Sequence, residues 1–380
     1  MAQMNKTYRI FLSAAEPSAD LHCAGLIKAL AEKGYDIKFV GVGGDKMAEA
    51  GCELLESTAG RAAMIYNAFA HIVHFYKLIN RIKSYLNKNK VDLVIVCDSP
   101  SFNFHIAKAA KAVGIKTLFY VAPQLWAWGA WRIKKMQKFC DKLAAILPFE
   151  QEWFKQRSVD AAFVGNPLMD DISGNFSDYI KDYSGFKPQN AKLAIMPGSR
   201  SAEIDTLWVP MQRVAIRLKK KYPHISFTTV AVDAKRKEIL KSMQLPGFMC
   251  TYTIATVAET AAKCDFSIVA SGSATLQVAA AGCPMVIMYQ SSKILWHLVG
   301  RWLIKTKYLS LVNILAGSEL VPEFMPYFSS HDPIADSVEK LLDNRAALAQ
   351  TSTHLVKLTE PLRAGQAAQT TADIALDMLN

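Results

Sequence analysis

Asp98 ends the apolar run Val94-Ile95-Val96-Cys97 and stands directly before Ser99-Pro100. A carboxylate at the end of a buried strand, ahead of a proline turn, can take the proton of a substrate hydroxyl as a general base. The same spacing suits an Asx-type turn that caps the following helix, and both readings stay open at this level. A second kind of chemistry is written at Pro197-Gly198-Ser199-Arg200, which closes a strand just before a helix. Small residues leave the backbone open to a ligand, and an arginine pairs bidentately with phosphate. Ser271-Gly272-Ser273 repeats the arrangement, with a helix from Ala274 aiming its positive end at the loop. Two such loops in one domain suit a pyrophosphate cradle. No G-x-x-x-x-G-K-[ST] occurs, so the chain is not a P-loop nucleotide triphosphatase.

Weaker signals flank these. The first strand ends in Ser13-Ala14-Ala15-Glu16-Pro17-Ser18-Ala19-Asp20. Small residues there let a ligand approach a helix N-terminus, while Ser18 or Asp20 serves equally well as a helix cap. Gly41-Val42-Gly43-Gly44 has the wrong spacing for a dinucleotide fingerprint and is expected to form a tight turn. Pro123-Gln124-Leu125-Trp126-Ala127-Trp128 places two aromatics at a strand end, for stacking on a sugar, contact with lipid, or simple packing. His71 and His74 are too few for zinc, with no carboxylate or thiol nearby in the sequence, so no metal is expected. Their helix carries Phe69, Ile72, Val73 and Tyr76 and runs into Lys77, Arg81, Lys83, Lys88 and Lys90. Apolar material followed by cations suits a helix lying on an anionic membrane, and equally a helix buried in its domain.

Short apolar runs alternate with helical periodicity, the mark of βαβ units and parallel sheets. In the first half the spacing predicts strands at Tyr8–Ala14, Ile37–Val42, Val91–Cys97, Thr117–Val121, Lys142–Leu147 and Ala161–Val164. Helices are expected at Ala19–Lys33, Ala68–Leu86, Asn103–Ala112 and Trp131–Phe139. The loop-rich stretch 167–191 breaks the rhythm and is the candidate junction. Strands then resume at Leu193–Met196, Ile225–Val232, Phe248–Tyr252, Asp265–Ala270 and Met285–Tyr289. Helices are expected at Ala202–Lys221, Val257–Lys263, Ala274–Ala281 and Ile294–Ile304, with a helical tail from Pro333 to Met378. The expected fold is α/β: two Rossmann-like, doubly wound domains, 1–180 and 190–340, facing a cleft, with helices from about 345–380 returning to the first.

Length and composition agree with this. At 380 residues the chain exceeds the size of one ordinary core, and half of it is hydrophobic. Its 44 Lys+Arg against 33 Asp+Glu favour an acidic partner, such as a phosphorylated substrate or anionic lipid. No recognised nucleic-acid motif accompanies the charge, so nucleic acid is not expected. The seven cysteines are scattered without a C-x-x-C pair, as in a reduced, cytoplasmic chain. Met1–Arg9 is polar and does not read as a signal peptide. The uncharged stretch Phe266–Ser292 is divided by Ser271-Gly272-Ser273 and Gly282-Cys283-Pro284, so it does not read as a membrane span.

Taken together, these motifs closely resemble the lipid-A-disaccharide synthase family, glycosyltransferases of the GT-B fold. The likeness lies in Ala15 to Asp20, Asp98 to Asn103, Pro123 to Trp128, Leu147 to Glu150, Phe163 to Pro167, Leu193 to Arg200, Ala270 to Thr275 and Lys305 to Gly317. It covers nearly the whole chain in order. The resemblance implies an inverting transfer joining UDP-2,3-diacylglucosamine to 2,3-diacylglucosamine 1-phosphate, with UDP released and no cofactor or metal needed. It implies Asp98 as the base, Glu16, Ser18 and Asp20 on the acceptor side, and Ser199, Arg200, Ser271, Gly272, Ser273, Gln277 and Asn313 around the nucleotide. It also implies work at the cytoplasmic face of the inner membrane, with Phe69, Ile72, Val73 and Tyr76 as candidates for membrane or acyl contact. Self-association is left open. Ala15 and Ala19 stand where the family usually has glycine, Ser101 where it has Asp, and Gln277 where it has Glu. The rival expectations are another UDP-sugar enzyme, such as a 2-epimerase, and a catalytically silent lipid- or nucleotide-binding homologue.

Overall fold

The computed structural model of the chain describes residues 6–58, 68–170, 172, 174–304, 306–363 and 366–379. It divides into two units, Met1–Asp170 with Leu362–Asn380, and Asp171–Pro361. The first runs β1 (Tyr8–Ala14), α1 (Pro17–Glu32), β2 (Ile37–Gly43), α2 (Asp45–Glu49), β3 (Glu53–Ser57), α3 (Ala68–Lys88), β4 (Leu93–Cys97), α4 (Pro100–Ala112), β5 (Lys116–Tyr120), α5 (Ile133–Phe139), β6 (Lys142–Ala145), α6 (Pro148–Lys155) and β7 (Ala161–Phe163). The second runs β8 (Lys192–Met196), α7 (Ser201–Lys221), β9 (Ser226–Val230), α8 (Ala234–Ser242), β10 (Thr251–Thr253), α9 (Val257–Ala262), β11 (Phe266–Ala270), α10 (Ala274–Ala280) and β12 (Met285–Met288). It continues through α11 (Lys293–Leu295), a π-helical turn (Trp296–Gly300), α12 (Arg301–Leu303), α13 (Leu311–Ala316), β13 (Glu323–Phe324), α14 (Asp332–Leu342) and α15 (Arg345–Thr359). The final helix, α16 (Ala367–Leu379), belongs to the first unit.

Each unit holds one parallel sheet. Among the described residues the strand orders are β3-β2-β1-β4-β5-β6-β7 and β10-β9-β8-β11-β12-β13. Both step outward from the first strand of the unit and then reverse across it, which is the Rossmann order. Helices on both faces bury the central strands completely, so β4 and β11 are apolar or small at every position. The period of two sorts the side chains of the first sheet. Ile10, Leu12, Leu93 and Ile95 pack with α1 and α16, while Phe11, Val94 and Val96 pack with α3 and α4.

Several expectations are corrected. Residues 345–359 form α15, whose Leu348 lies in the core of the second unit, so only α16 returns to the first. Gly41 and Gly43 lie inside β2 rather than in a tight turn. A Cβ on Gly41 would stand 2.1 Å from the Leu12 carbonyl oxygen, so the close approach of β1 requires glycine. Phe248 is buried in a turn, and the strand begins only at Thr251. Two edge strands, β3 and β13, and four helices, α2, α6, α8 and α13, were not foreseen.

Candidate active site at two sheet edges

In the first unit the carboxyl ends of the strands are level: Ala14 pairs with Cys97, Cys97 with Tyr120, and Tyr120 with Ala144. The strand order reverses between β1 and β4, and ligands of open α/β sheets bind outside such a reversal. Glu16 follows β1 and Asp98 follows β4, so these two expected site residues flank the reversal. The Ser99 hydroxyl donates to the Glu16 carboxylate at 3.2 Å and ties the two loops together. Asp98, Ser99 and Val121 all have positive φ, at 51°, 40° and 61°. Non-glycine residues held there store backbone strain, and such strain gathers at functional sites. Asn103 holds the Asp98 turn. Its amide donates to the carbonyls of Cys97 and Asp98 at 2.8 and 2.7 Å and accepts from the Ser13 hydroxyl at 2.7 Å. Asp98 remains half-buried, and Ser99 rather than Asp98 occupies the cap position of α4.

The Trp126–Trp128 loop follows β5 at the same edge, and its two indoles have different fates. Trp126 is buried and donates to the Glu150 carboxylate at 2.9 Å, with its ring edge-on to Phe149. Trp128 is exposed under the Arg132 guanidinium, 4.6 Å from the ring centre. Glu150 is wholly buried and also accepts from the N–H groups of Ile146 and Leu147 at 3.2 and 3.0 Å. Burial pushes its carboxyl up to about 7, against the opposing pull of the Trp126, Leu147 and Ile146 donors. Asp20 is placed differently from expectation. Its buried carboxylate accepts from the N–H groups of Gly44, Lys46 and Met47 at 2.7, 3.1 and 3.1 Å, so it caps α2. Ser18 is exposed on the first turn of α1.

In the second unit the strand order reverses between β8 and β11. Pro197–Arg200 follows β8 and Ser271–Ser273 follows β11, so the two expected phosphate loops are neighbours at that reversal. The first loop corrects one expectation. Its backbone is not open, because Glu203 accepts from the N–H groups of Ser199 and Arg200 at 2.9 and 3.1 Å. Gly198 has φ 103°, and a Cβ on it would meet the Glu203 carboxylate at 2.3 Å. What the loop presents is the Arg200 guanidinium, exposed and 3.2 Å from the other Glu203 oxygen. Arg236 from α8 reaches the Ser199 carbonyl at 3.4 Å and adds a second cation. In the second loop Gly272 is extended at φ 158°, the Ser271 N–H bonds to the Met288 carbonyl, and Ser273 opens α10, where the Thr275 and Leu276 N–H groups bond to the carbonyls of Gly272 and Ser273. Gln277 is half-buried on that helix, and its side chain has no hydrogen-bond partner among the described residues.

Asn313 is placed differently from an exposed loop residue. It is wholly buried, and its amide is fully used. It donates to the Val321 carbonyl and the Glu323 carboxylate and accepts from the N–H groups of Leu320 and Val321. Glu323 also accepts from Leu309 and Ser310, so the Leu309–Asn313 part of the motif is folded around this carboxylate. Asn313 therefore ties α13 to the chain around β13 through its whole side-chain amide.

A family model described as lipid-A-disaccharide synthetase matches residues 10–375. Two curated relatives, both called lipid-A-disaccharide synthase, agree with it. That of Geobacter sulfurreducens is 33% identical over 99% of this chain and 98% of its own length. That of Nitrosococcus oceani is 31% identical over 99% and 97%. The chain belongs to the lipid-A-disaccharide synthase family. Among solved structures it is similar to the calicheamicin glycosyltransferase CalG4, with a TM-score of 0.62 at 14% identity over 98% of both chains. The UDP-GlcNAc 2-epimerase of Neisseria meningitidis, solved bound to UDP-GlcNAc, gives 0.60 at 12%, covering 98% of this chain and 99% of its own. These distant likenesses carry the fold alone, which is GT-B. The chain is a hexosyltransferase.

Against the family pattern, Ala19 is buried in the core beneath α1 and Ala15 is half-buried, so both methyl groups are accommodated. Ser101 is exposed on the first turn of α4. Of the candidates for lipid contact, Val73 and Tyr76 are exposed on α3, ahead of Leu78, Ile79, Ile82 and Leu86, which enter the core. The side chains of Phe69 and Ile72 lie outside the described residues. His74 does have a carboxylate nearby in space, with its Nε2 2.9 Å from Glu56 Oε1. No described helix is long and apolar enough to cross a membrane.

Proposed function

We propose that this family member joins UDP-2,3-diacylglucosamine to the 6-hydroxyl of 2,3-diacylglucosamine 1-phosphate by a β-1,6 bond and releases UDP. The observation that carries the reading is the content of the two reversals: a strained carboxylate in one sheet, and a cation with small-residue loops in the other. Asp98 accepts the hydroxyl proton as the oxygen attacks the anomeric carbon. The Glu16–Ser99 bond and the Asn103 clamp support this by holding the Asp98 turn. Charge grows on the departing pyrophosphate, and Arg200, Arg236 and the loop at Ser271–Ser273 oppose it, with no metal assigned a part. Gln277, whose side chain has no hydrogen-bond partner among the described residues, meets the nucleotide as a neutral hydrogen-bonding group. Inversion follows from a single displacement opposite the leaving group, with oxocarbenium character at the donor carbon. The exposed Val73 and Tyr76 and the exposed cations Lys77, Arg81 and Lys83 support contact between α3 and an anionic membrane surface.

UDP release measured with both acylated substrates in detergent tests this. The account expects turnover, a β-linked disaccharide by NMR, and no loss of rate in EDTA. Intact UDP binding without turnover would identify a silent homologue, and epimerised free sugar a different UDP-sugar enzyme.

A further inference from the structure

The loop after β5 ends in a cation that the transfer reading above does not use. The Arg132 guanidinium lies over two indoles, 4.6 Å from the Trp128 ring centre and 5.5 Å from that of Trp131. Ring faces hold a guanidinium without consuming its N–H donors. Among the described residues the Arg132 side chain makes no ion pair and no hydrogen bond. In the sequence no Asp or Glu occurs between Asp98 and Asp141. The loop that carries the cation is fixed. Trp126 is tied to Glu150, and the N–H groups of Ala127 and Trp128 donate to the Gln124 carbonyl at 3.1 and 3.3 Å. Gly129, at φ 78°, turns the chain into a 3-10 turn, Ala130–Arg132, which the Arg132 N–H closes on the Gly129 carbonyl at 2.9 Å.

Two contacts set its place. The Asp98 N–H donates to the Tyr120 carbonyl at 3.0 Å, so the loops after β4 and β5 start side by side. Lys135, on the first turn of α5, lies over the ring of Phe104, on the second turn of α4, at 5.7 Å. The helices that begin beside Asp98 and Arg132 are therefore neighbours at one sheet edge. The acceptor proposed above carries its attacking hydroxyl on C6 and its phosphate on C1, on opposite flanks of the ring oxygen. A base for the one and an anion site for the other have to share an edge within the span of a single sugar. We infer that Arg132, seated on Trp128 and Trp131, binds the 1-phosphate of the acceptor. The inference rests on the transfer reading and names the group that sets the choice of acceptor. An arginine fork matches a phosphate bidentately, and the two indoles hold its side chain before the ligand arrives, so less freedom is lost on binding.

The test compares two acceptors in detergent, 2,3-diacylglucosamine 1-phosphate and the same lipid without its phosphate, on the full chain and on Arg132→Gln. The quantity read is the preference for the phosphorylated acceptor, as a ratio of kcat/KM values. Arg132→Gln is expected to lower that preference by about ten- to hundredfold, the loss that follows removal of a hydrogen-bonding charged group. Arg132→Lys, which keeps the charge and loses the fork, should fall between the two. A residue that merely supported the loop would lower both acceptors together and leave the ratio unmoved, and that result overturns the inference. So does an equal fall in UDP affinity, which would assign Arg132 to the donor. Calorimetric titration of the same two lipids without UDP-sugar gives the ratio as affinities. Failure of the transfer reaction is then distinguishable from failure of the phosphate site.

Discussion

Asp98 and Arg200 stand out in the sequence as candidates because each lies in the loop that follows a strand, and strand ends are where an open sheet offers its chemistry. The pairings around them do not. Asn103, which holds the Asp98 turn, is itself tied to Ser13, and Trp126 is tied to Glu150, across separations of 90 and 24 residues that no local pattern records. Glu203 was hidden differently, since a glutamate at the start of a helix reads as a cap, and it is one, closing the backbone that seemed open to phosphate. Glu150 gives a prediction at this scale. Its folded pKa of about 7 lies above the ordinary carboxyl value of 4.5. Between those values the folded chain holds more protons than the unfolded chain, so this group's contribution is full below about pH 4.5 and is lost as pH rises through about 7. The melting temperature of the parent should therefore fall relative to Glu150→Gln between about pH 5 and 7. Parallel curves for the two proteins would remove the assignment.

The elements divide by burial. Strands covered on both faces are nearly continuous apolar runs and were read to within a residue or two, as at Tyr8–Ala14 and Met285–Met288. Edge strands lack that signal. β3 reads Glu-Leu-Leu-Glu-Ser with its residues half-buried or exposed, and β13 has two residues. α8 was missed because five of its nine residues are charged, and it lacks an apolar stripe. The glycine at Gly41 was noticed and misassigned. Its role depends on the neighbouring strand, which sequence spacing does not reveal. Gly41→Ala should destabilise the first unit by at least about 1–3 kcal/mol, the range for an overpacked core, as a lower urea midpoint. Gly34→Ala meets no atom within 4 Å but has φ 76°, so its cost should be only that of the strained backbone. Equal midpoints for Gly41→Ala and the parent would contradict the packing given for β1 and β2.

At the scale of the molecule, two Rossmann sheets are built from one chain, and each sets its candidate loops at the reversal of its own strand order. The alternation of short apolar runs and helices made both sheets legible. The share of the tail in each unit was not, because α15 and α16 are similar in pattern and differ in the core they enter. The first unit supplies the strained carboxylate, and the second supplies the cations and small-residue loops. This division of labour predicts separable losses. The most direct measurement is kcat of Asp98→Ala beside its affinity for UDP. The account predicts at least about a 100-fold fall in kcat, with UDP affinity within about twofold of the parent. Full turnover in that variant would contradict it.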